Sequence, residues 1–286
     1  MGIGELYKTV LNELRHDVVT VDTARPADYT TIDDAIQDHK HFNCVFICTP
    51  NWTHEEIAYK VADHARIVFV EKPGVADANR WQQMVNAFPN TRFMMVKNNQ
   101  YRDIIDKIKT VADYADIIDI RWINLNRVPN PGSWFTDENR SFGGVKKDLM
   151  PHLLSFITVL FPNSYKNYPH LIRKDFHQRW DLADLADTDY GVVDPNGVYN
   201  VDDHAYIEMV VDKTHVYLTT DWRSKKTDDQ SLQVILDNHQ RLYFDLGLCP
   251  EYAYKNMIAT AIANIANVEF WQDQLAQDLW IHRMTE

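Results

Sequence analysis

A shortage of cysteine, a deficit of basic charge and the want of any long apolar run narrow this sequence before any motif is found. Cysteine occurs three times in 286 residues, at Cys44, Cys48 and Cys249. The number is odd and no pair has CxxC spacing, so free, buried thiols are expected rather than a disulfide framework. No apolar stretch approaches the roughly 18 residues of a membrane span; the densest are Cys44–Cys48, Ile67–Val70 and Phe93–Val96. The N-terminus lacks a basic-then-apolar signal segment, which makes the cytoplasm the expected address. Lysine and arginine number 29 against 41 aspartates and glutamates, a formal charge of −12. An acidic surface repels phosphate backbones, so neither a nucleic acid nor a membrane is expected as partner. What remains is 45% hydrophobic and 24% charged, an ordinary globular composition long enough to bury a core without a disulfide or metal staple.

The first half alternates two hydrophobic periods. Glu5 to Arg15 reads helical, with Leu6, Val10, Leu11 and Leu14 on one face. Asp17–Asp22 reads as a short β-branched strand ending in an acid, and Ile32–Lys40 as a helix. Asn43–Thr49 is a continuous apolar run of the kind a buried parallel strand shows. Thr53 is placed to cap the next helix, with Glu55 and Glu56 in its first turn. Strands at Ala65–Val70 and Arg92–Val96 and helices at Asp77–Ala87 and Tyr101–Asp113 complete the alternation. Strand and helix alternating at this spacing imply a doubly wound parallel sheet, an α/β domain over residues 1–115. Residues 116–286 change character. A long strand at Ile117–Val128, a helix over 144–161, an irregular stretch over 163–200 and three strand-like runs to Leu246 precede a helical end from Glu251 to Met284. Lys213-Thr214 and Asp237–His239 read as hairpin turns, so this half is expected to be α+β with an open antiparallel sheet.

In an open parallel sheet, ligands bind beyond the carboxyl ends of the strands. Gly2-Ile3-Gly4 precedes the first helix, where glycines let a pyrophosphate approach the helix N-terminus. Asp22 follows about 20 residues later, where a carboxylate would accept both ribose hydroxyls. Two features depart from that pattern. Tyr7 stands where a third small residue belongs, and no strand precedes Gly2, so the sheet is expected to lack its first strand. A frayed terminus with incidental glycines is the plainer alternative. Thr49, Pro50, Asn51 and His54 follow a buried strand and offer turn formers and hydrogen bonds, although a turn and helix cap would use the same residues. Glu71-Lys72-Pro73 also follows a strand directly. A lysine there suits the polarisation of a hydroxyl or carbonyl, and a solvated Glu-Lys pair is the alternative. In Gly143-Gly144-Val145-Lys146-Lys147-Asp148-Leu149-Met150-Pro151-His152, Asp148 and His152 stand at i,i+4 and would share a helical face. A carboxylate beside an imidazole suits a general base near neutral pH, and a surface pair fits the same spacing. Pro151 tolerates a helix only in its first turn. No third ligand for a metal is evident, so no metal site is expected.

Taken in order, glycine loop, strand-end Asp, TPNxxH, EKP and GG-x3-D-x3-H resemble the Gfo/Idh/MocA family of NAD(P)-dependent oxidoreductases over residues 2–160. The resemblance implies that Lys72, Asp148 and His152 are the catalytic residues. It also implies that Gly2, Gly4, Asp22, Thr49, Pro50, Asn51, His54 and Glu71 bind the cofactor. Asn98–Arg102 is a looser version of the segment after the family's sixth strand, and Trp134 matches a tryptophan often found before the GG motif. Met150 departs from the family's usual glycine in D-x-G-x-H. The implied activity is hydride transfer between a nicotinamide cofactor and a sugar, cyclitol or related polyol. Asp22 favours NAD, while Arg25 leaves NADP open. The resemblance also implies a homodimer or homotetramer formed through the C-terminal sheet. The alternatives are a catalytically inactive nucleotide or sugar sensor and a truncated family member.

Overall fold

The computed structural model describes residues 2–224, 226, 228–247 and 249–286. Its helices are α1 (Ile3–Glu13), α2 (Ile32–His39), α3 (His54–Val61), α4 (Ala78–Ala87), α5 (Ile104–Ala112), α6 (Glu138–Ser141), α7 (Val145–Asp148), α8 (Met150–Leu160), α9 (Ser164–Asn167), α10 (Glu251–Ala263) and α11 (Val268–Met284). Its strands are β1 (Phe42–Ile47), β2 (Ala65–Val70), β3 (Arg92–Met95), β4 (Ala115–Ile123), β5 (His170–His177), β6 (His204–Val211), β7 (Thr214–Asp221), β8 (Asp229–Leu236) and β9 (Arg241–Asp245). They form two compact units, Met1–Tyr101 with Pro250–Leu279, and Arg102–Cys249 with Trp280–Glu286.

The first unit is built on a parallel sheet ordered β1-β2-β3. The central strand, Ala-Arg-Ile-Val-Phe-Val, is buried at every position except Arg66, because a middle parallel strand is covered on both faces. Ile67 and Phe69 point to one face, where Tyr7 and Val10 of α1, Met94, Val96, Met257, Ile258, Ala261 and Trp271 close a core. The C-terminal helices therefore complete a core begun by the first helix. Val68 and Val70 point the other way, the side to which successive residues alternate. Thr31 caps α2 by accepting the N–H of Asp34 at 3.1 Å, and Asp77 caps α4 through the N–H of Arg80 at 2.8 Å.

The expected strand at Asp17–Asp22 is not a strand. These residues pair only through an isolated bridge between Val21 and Tyr29. Asp28 takes the backbone N–H of Thr20 at 2.8 Å and its hydroxyl at 2.7 Å, so a side chain satisfies a donor that a ladder would have used. Thr53 holds the N-cap position of α3 but does not cap it. Its hydroxyl donates to the Pro50 carbonyl at 2.7 Å and meets the Thr49 hydroxyl at 2.6 Å. The three cysteines are free and half-buried rather than buried, and burial pushes the Cys44 thiol up to about 11.

The second unit carries a six-stranded sheet ordered β5-β6-β7-β4-β8-β9. It is mixed, not wholly antiparallel: β4 pairs with β7 in parallel, Ile118 beside Val216 and Ile120 beside Leu218. The chain leaves β4 and returns only after α6 to α9 and two more strands, a connection long enough for a parallel crossover. The irregular stretch contains β5, an edge strand whose His, Arg, Lys and Asp residues are mostly exposed. Left-handed residues Asp212 and His239 make the two hairpin turns. On β6, Ala205, Ile207, Met209 and Val211 are buried, and the residues between them are half-buried. α8 packs on the sheet at β4 and β7, with nearly every side chain buried. The expected helix over 144–161 is two helices broken at Leu149, with Pro151 in the first turn of α8, where its missing N–H is harmless. The long final helix divides likewise into α10 and α11.

Candidate active site

In the first unit, the carboxyl ends of β1 and β2 deliver their loops side by side. His54, fully buried, has Nε2 2.8 Å from the Thr49 carbonyl and Nδ1 2.7 Å from the Gly74 carbonyl. One imidazole thus joins the TPN turn to the loop of Glu71, Lys72 and Pro73. Burial pushes His54 below the ordinary histidine value. A neutral ring donates one of the two contacts, and only the imidazolium donates both. Glu71 donates its N–H to the Ile47 carbonyl at 3.0 Å, which continues the pairing beyond β2. Its carboxylate accepts the Tyr7 phenol at 2.8 Å and the Lys72 N–H at 3.2 Å. Desolvation raises the Glu71 carboxyl against the opposing pull of Lys72, and burial raises the Tyr7 phenol well above its usual value. The Lys72–Pro73 peptide is cis.

Gly2 is the N-cap of α1 in an extended conformation without a side-chain cap, and its carbonyl accepts the N–H groups of Glu5 and Leu6. A Cβ on Gly2 would lie 3.7 Å from Nη1 of Arg25, and one on Gly4 would lie 3.7 Å from Cβ of Cys48. Asp22 is half-buried and accepts the N–H groups of Ala24 and Arg25 at 2.8 and 2.9 Å. Those two backbone donors hold its carboxyl below the usual range.

In the second unit, Gly143 has φ +141°, and a Cβ on Gly144 would fall 1.7 Å from the Asp202 carbonyl oxygen. Glycine is therefore obligatory at 144, because a backbone atom fills the side-chain space. Asp202 fastens the motif: its carboxylate accepts the N–H of Gly144 at 3.1 Å and of Lys146 at 2.7 Å, and its carbonyl accepts that of Val145. Burial nevertheless raises the Asp202 carboxyl. Asp148 closes α7 and accepts the Trp222 indole N–H at 2.9 Å. His152 lies in the first turn of α8, and its ring stacks on Trp122 with centroids 5.6 Å apart and planes 26° from parallel.

The first unit thus brings together Thr49, Pro50, Asn51, His54, Glu71 and Lys72, and the second brings Asp148 and His152 close in chain across one helix break. The sequence reading missed Asp202, Trp122, Trp222 and the buried Lys97–Asp278 pair. A double glycine ahead of a helix is the one signal that some backbone or carboxylate must fill the vacated space, as Asp202 does. Among the described residues no group of three or more His, Cys, Asp or Glu is placed to hold a metal, and no helix is long and apolar enough to cross a membrane.

Residues 10–97 match the model of the oxidoreductase family with the NAD-binding Rossmann fold, GFO_IDH_MocA. A protein of Amycolatopsis mediterranei described as a UDP-kanosamine synthase oxidoreductase subunit is 25% identical over 163 residues, 51% of this chain and 46% of its own length. The match therefore spans less than half of that relative. The crystal structure of GenD2 from gentamicin A biosynthesis, in complex with NAD, superposes with TM-score 0.73 at 17% identity, covering 98% of this chain and 89% of that one. A levoglucosan dehydrogenase in complex with NADH and levoglucosan gives TM-score 0.67 at 14% identity, covering 97% and 94%. At such identities the structures establish the fold. Residues 10–97 thus carry the NAD-binding Rossmann segment of the Gfo/Idh/MocA oxidoreductases, and the chain as a whole shares the fold of these dehydrogenase structures.

Proposed function

We propose that the protein is an NAD-dependent dehydrogenase that moves a hydride between nicotinamide C4 and a carbinol carbon of a sugar, cyclitol or related polyol. The observation that carries this is the joint made by His54, which fixes the TPN turn and the Glu71-Lys72-Pro73 loop at neighbouring strand ends. The residues present fit the cofactor. The N-terminus of α1, which has no side-chain cap, offers backbone N–H groups to a pyrophosphate, and the ionised, half-buried Asp22 suits two ribose hydroxyls while repelling a 2′-phosphate. Arg25, beside Gly2, opposes that repulsion and leaves NADP as the weaker ligand. The bound nicotinamide supplies the hydride acceptor.

The chain's own residues supply the proton chemistry. His152 takes the hydroxyl proton as the hydride leaves carbon, and Lys72 supplies a hydrogen-bond donor for negative charge developing on the substrate. Asp148 orients the base or grips a second substrate hydroxyl. The outward face of the second unit's sheet, with Tyr206, Tyr217 and the exposed Tyr243, supports a homodimer or homotetramer formed there.

The test is fluorescence titration with NADH and NADPH, followed by NAD+ reduction with myo-inositol, levoglucosan and D-glucose. Tighter binding of NADH and turnover of at least one polyol are expected. Lys72→Ala and His152→Ala should each lower kcat by about two orders of magnitude with NADH affinity retained. Near-wild-type turnover in both variants refutes the assignment, and NADH binding without turnover of any polyol points to a sensor.

A further inference from the structure

We infer that Trp222 and Trp122 are positioning residues of this reaction, an aromatic cradle that fixes Asp148 and His152 from the sheet beneath them; the inference rests on the roles proposed for that pair. Trp222 directly follows β7 and is 1% exposed. Its backbone is tied on both sides, the N–H donating to the Asp203 carbonyl at 3.0 Å and the carbonyl accepting the Arg127 N–H at 2.8 Å. The preceding Asp221 is held by the Arg179 guanidinium at 3.0 Å and accepts the Arg223 N–H at 2.8 Å. The indole is thus anchored before it reaches Asp148, and its single N–H is spent on that carboxylate. A buried indole N–H needs an acceptor, but a neutral one would serve; a carboxylate makes the stronger, charge-assisted bond.

Trp122 lies on the neighbouring strand β4, where it pairs with Thr220 of β7, and it shares a face with buried Ile118 and Ile120. Its stack covers one face of the His152 ring. The two tryptophans therefore stand at the ends of two hydrogen-bonded parallel strands, one gripping each member of the pair. α7 and α8 are separate helices broken at Leu149, so helical geometry alone does not fix Asp148 relative to His152. The sheet supplies what the broken helix does not. Rigid support of this kind is what a reacting constellation needs to keep its geometry.

The experiment is a double-mutant cycle of Trp222→Phe and Asp148→Asn, read as kcat on NAD+ with the polyol turned over fastest in the panel above. Melting temperature and NADH affinity serve as controls. Each single variant should lose about tenfold or more in kcat with NADH affinity within about twofold, and the double variant should be no slower than Asp148→Asn alone. Trp122→Leu should lower kcat, and Trp122→Phe, which keeps a ring for stacking, should restore most of it. Losses that multiply in the double variant overturn the inference and leave the catalytic assignment standing. So does a folded Trp222→Phe at wild-type kcat beside an impaired Asp148→Asn. An unimpaired Asp148→Asn overturns the assignment of Asp148 itself. If Trp222→Phe fails to fold, the indole 15N–1H resonance of Trp222 in the native sequence takes its place. It should shift in Asp148→Asn while the other tryptophans hold still, and a resonance that does not move overturns the inference.

Discussion

Lys97→Met should destabilise the first unit by ~3–5 kcal/mol at pH 8, the penalty typical of breaking one side of a buried pair. The ammonium of Lys97 and the carboxylate of Asp278 are 1% and 0% exposed and in direct contact. Lys97 also donates to the Met95 carbonyl at 3.1 Å, and Asp278 accepts the Met95 N–H at 3.1 Å. A helix residue and a strand-end residue thus share the two backbone groups of one residue of β3, Met95. Burial raises the Asp278 carboxyl and the lysine's charge opposes that rise. Without Lys97 the carboxyl must rise further, so the folded state binds a proton that the unfolded state releases near pH 4. Folded-state uptake makes stability fall as pH rises, by at most about 1.4 kcal/mol per unit. The deficit of Lys97→Met is therefore largest at pH 8 and shrinks toward pH 5. Lys97→Met/Asp278→Leu loses the same Met95 carbonyl contact as the single variant and adds the loss of the Met95 N–H partner, ~1–3 kcal/mol, but removes the unpaired buried charge, so the double variant should be more stable than the single one. Differential scanning calorimetry at pH 5 and 8 reads this directly, with the single variant melting about 6–20 °C lower at pH 8. A Lys97→Met deficit under about 1 kcal/mol, or one equal at both pH values, would refute the account.

Gly144→Ala should cost about 3 kcal/mol or more, because its Cβ would meet a backbone carbonyl oxygen that no rotamer change can move; the urea midpoint reads it. His54 is held below its ordinary value, so the unfolded chain takes up a proton near pH 6.5 that the folded one does not. Stability from this source is complete above that pH and declines as pH falls, and His54→Gln should flatten the melting profile between pH 5 and 7. Asp22→Ala should weaken NADH about tenfold and NADPH less, read by fluorescence titration; equal losses for both would remove Asp22 from cofactor choice.

The parallel core was legible because a buried strand needs continuous apolar residues, and Cys44–Cys48 and Ile67–Val70 have nothing else. The failures come where side chains or distant segments overrule local pattern. DVVTVD has strand composition, but Asp28 takes its Thr20 donor and a single bridge is all that forms. HLIRKDFH carries too many charges to read as a strand, yet an edge position keeps them wet while the backbone pairs with β6. The parallel partnership of β4 with β7 joins strands about a hundred residues apart, a non-local choice that periodicity cannot express. Of the residues proposed for catalysis, Lys72 was singled out because it follows its strand directly in sequence, and Asp148 and His152 because of their i,i+4 spacing after a double glycine. Their supports were not, since Asp202 and Trp222 reach the motif from 58 and 74 residues away.

Tyr7 shows how a broken motif becomes intelligible once packing is known. Read against the glycine pattern it is damage, a bulky ring where a small residue lets helix and strand approach. The ring is 2% exposed, lies 4.9 Å from Phe46 and 5.6 Å from Tyr254, and belongs to the core that α1 shares with β2 and α10. Its volume fills the space between helix and strand that close approach would otherwise remove, and an alanine there would leave a cavity costing ~3–5 kcal/mol. The phenol then reaches the half-buried carboxylate of Glu71, which stands directly before Lys72. A small residue at position 7 would leave Glu71 raised by burial and short of a donor, one residue from the proposed catalytic lysine. The tyrosine thus exchanges tight helix packing for a hydrogen bond that anchors the EKP loop from below. The departure from the glycine pattern and the retention of Glu71-Lys72-Pro73 are two sides of one arrangement.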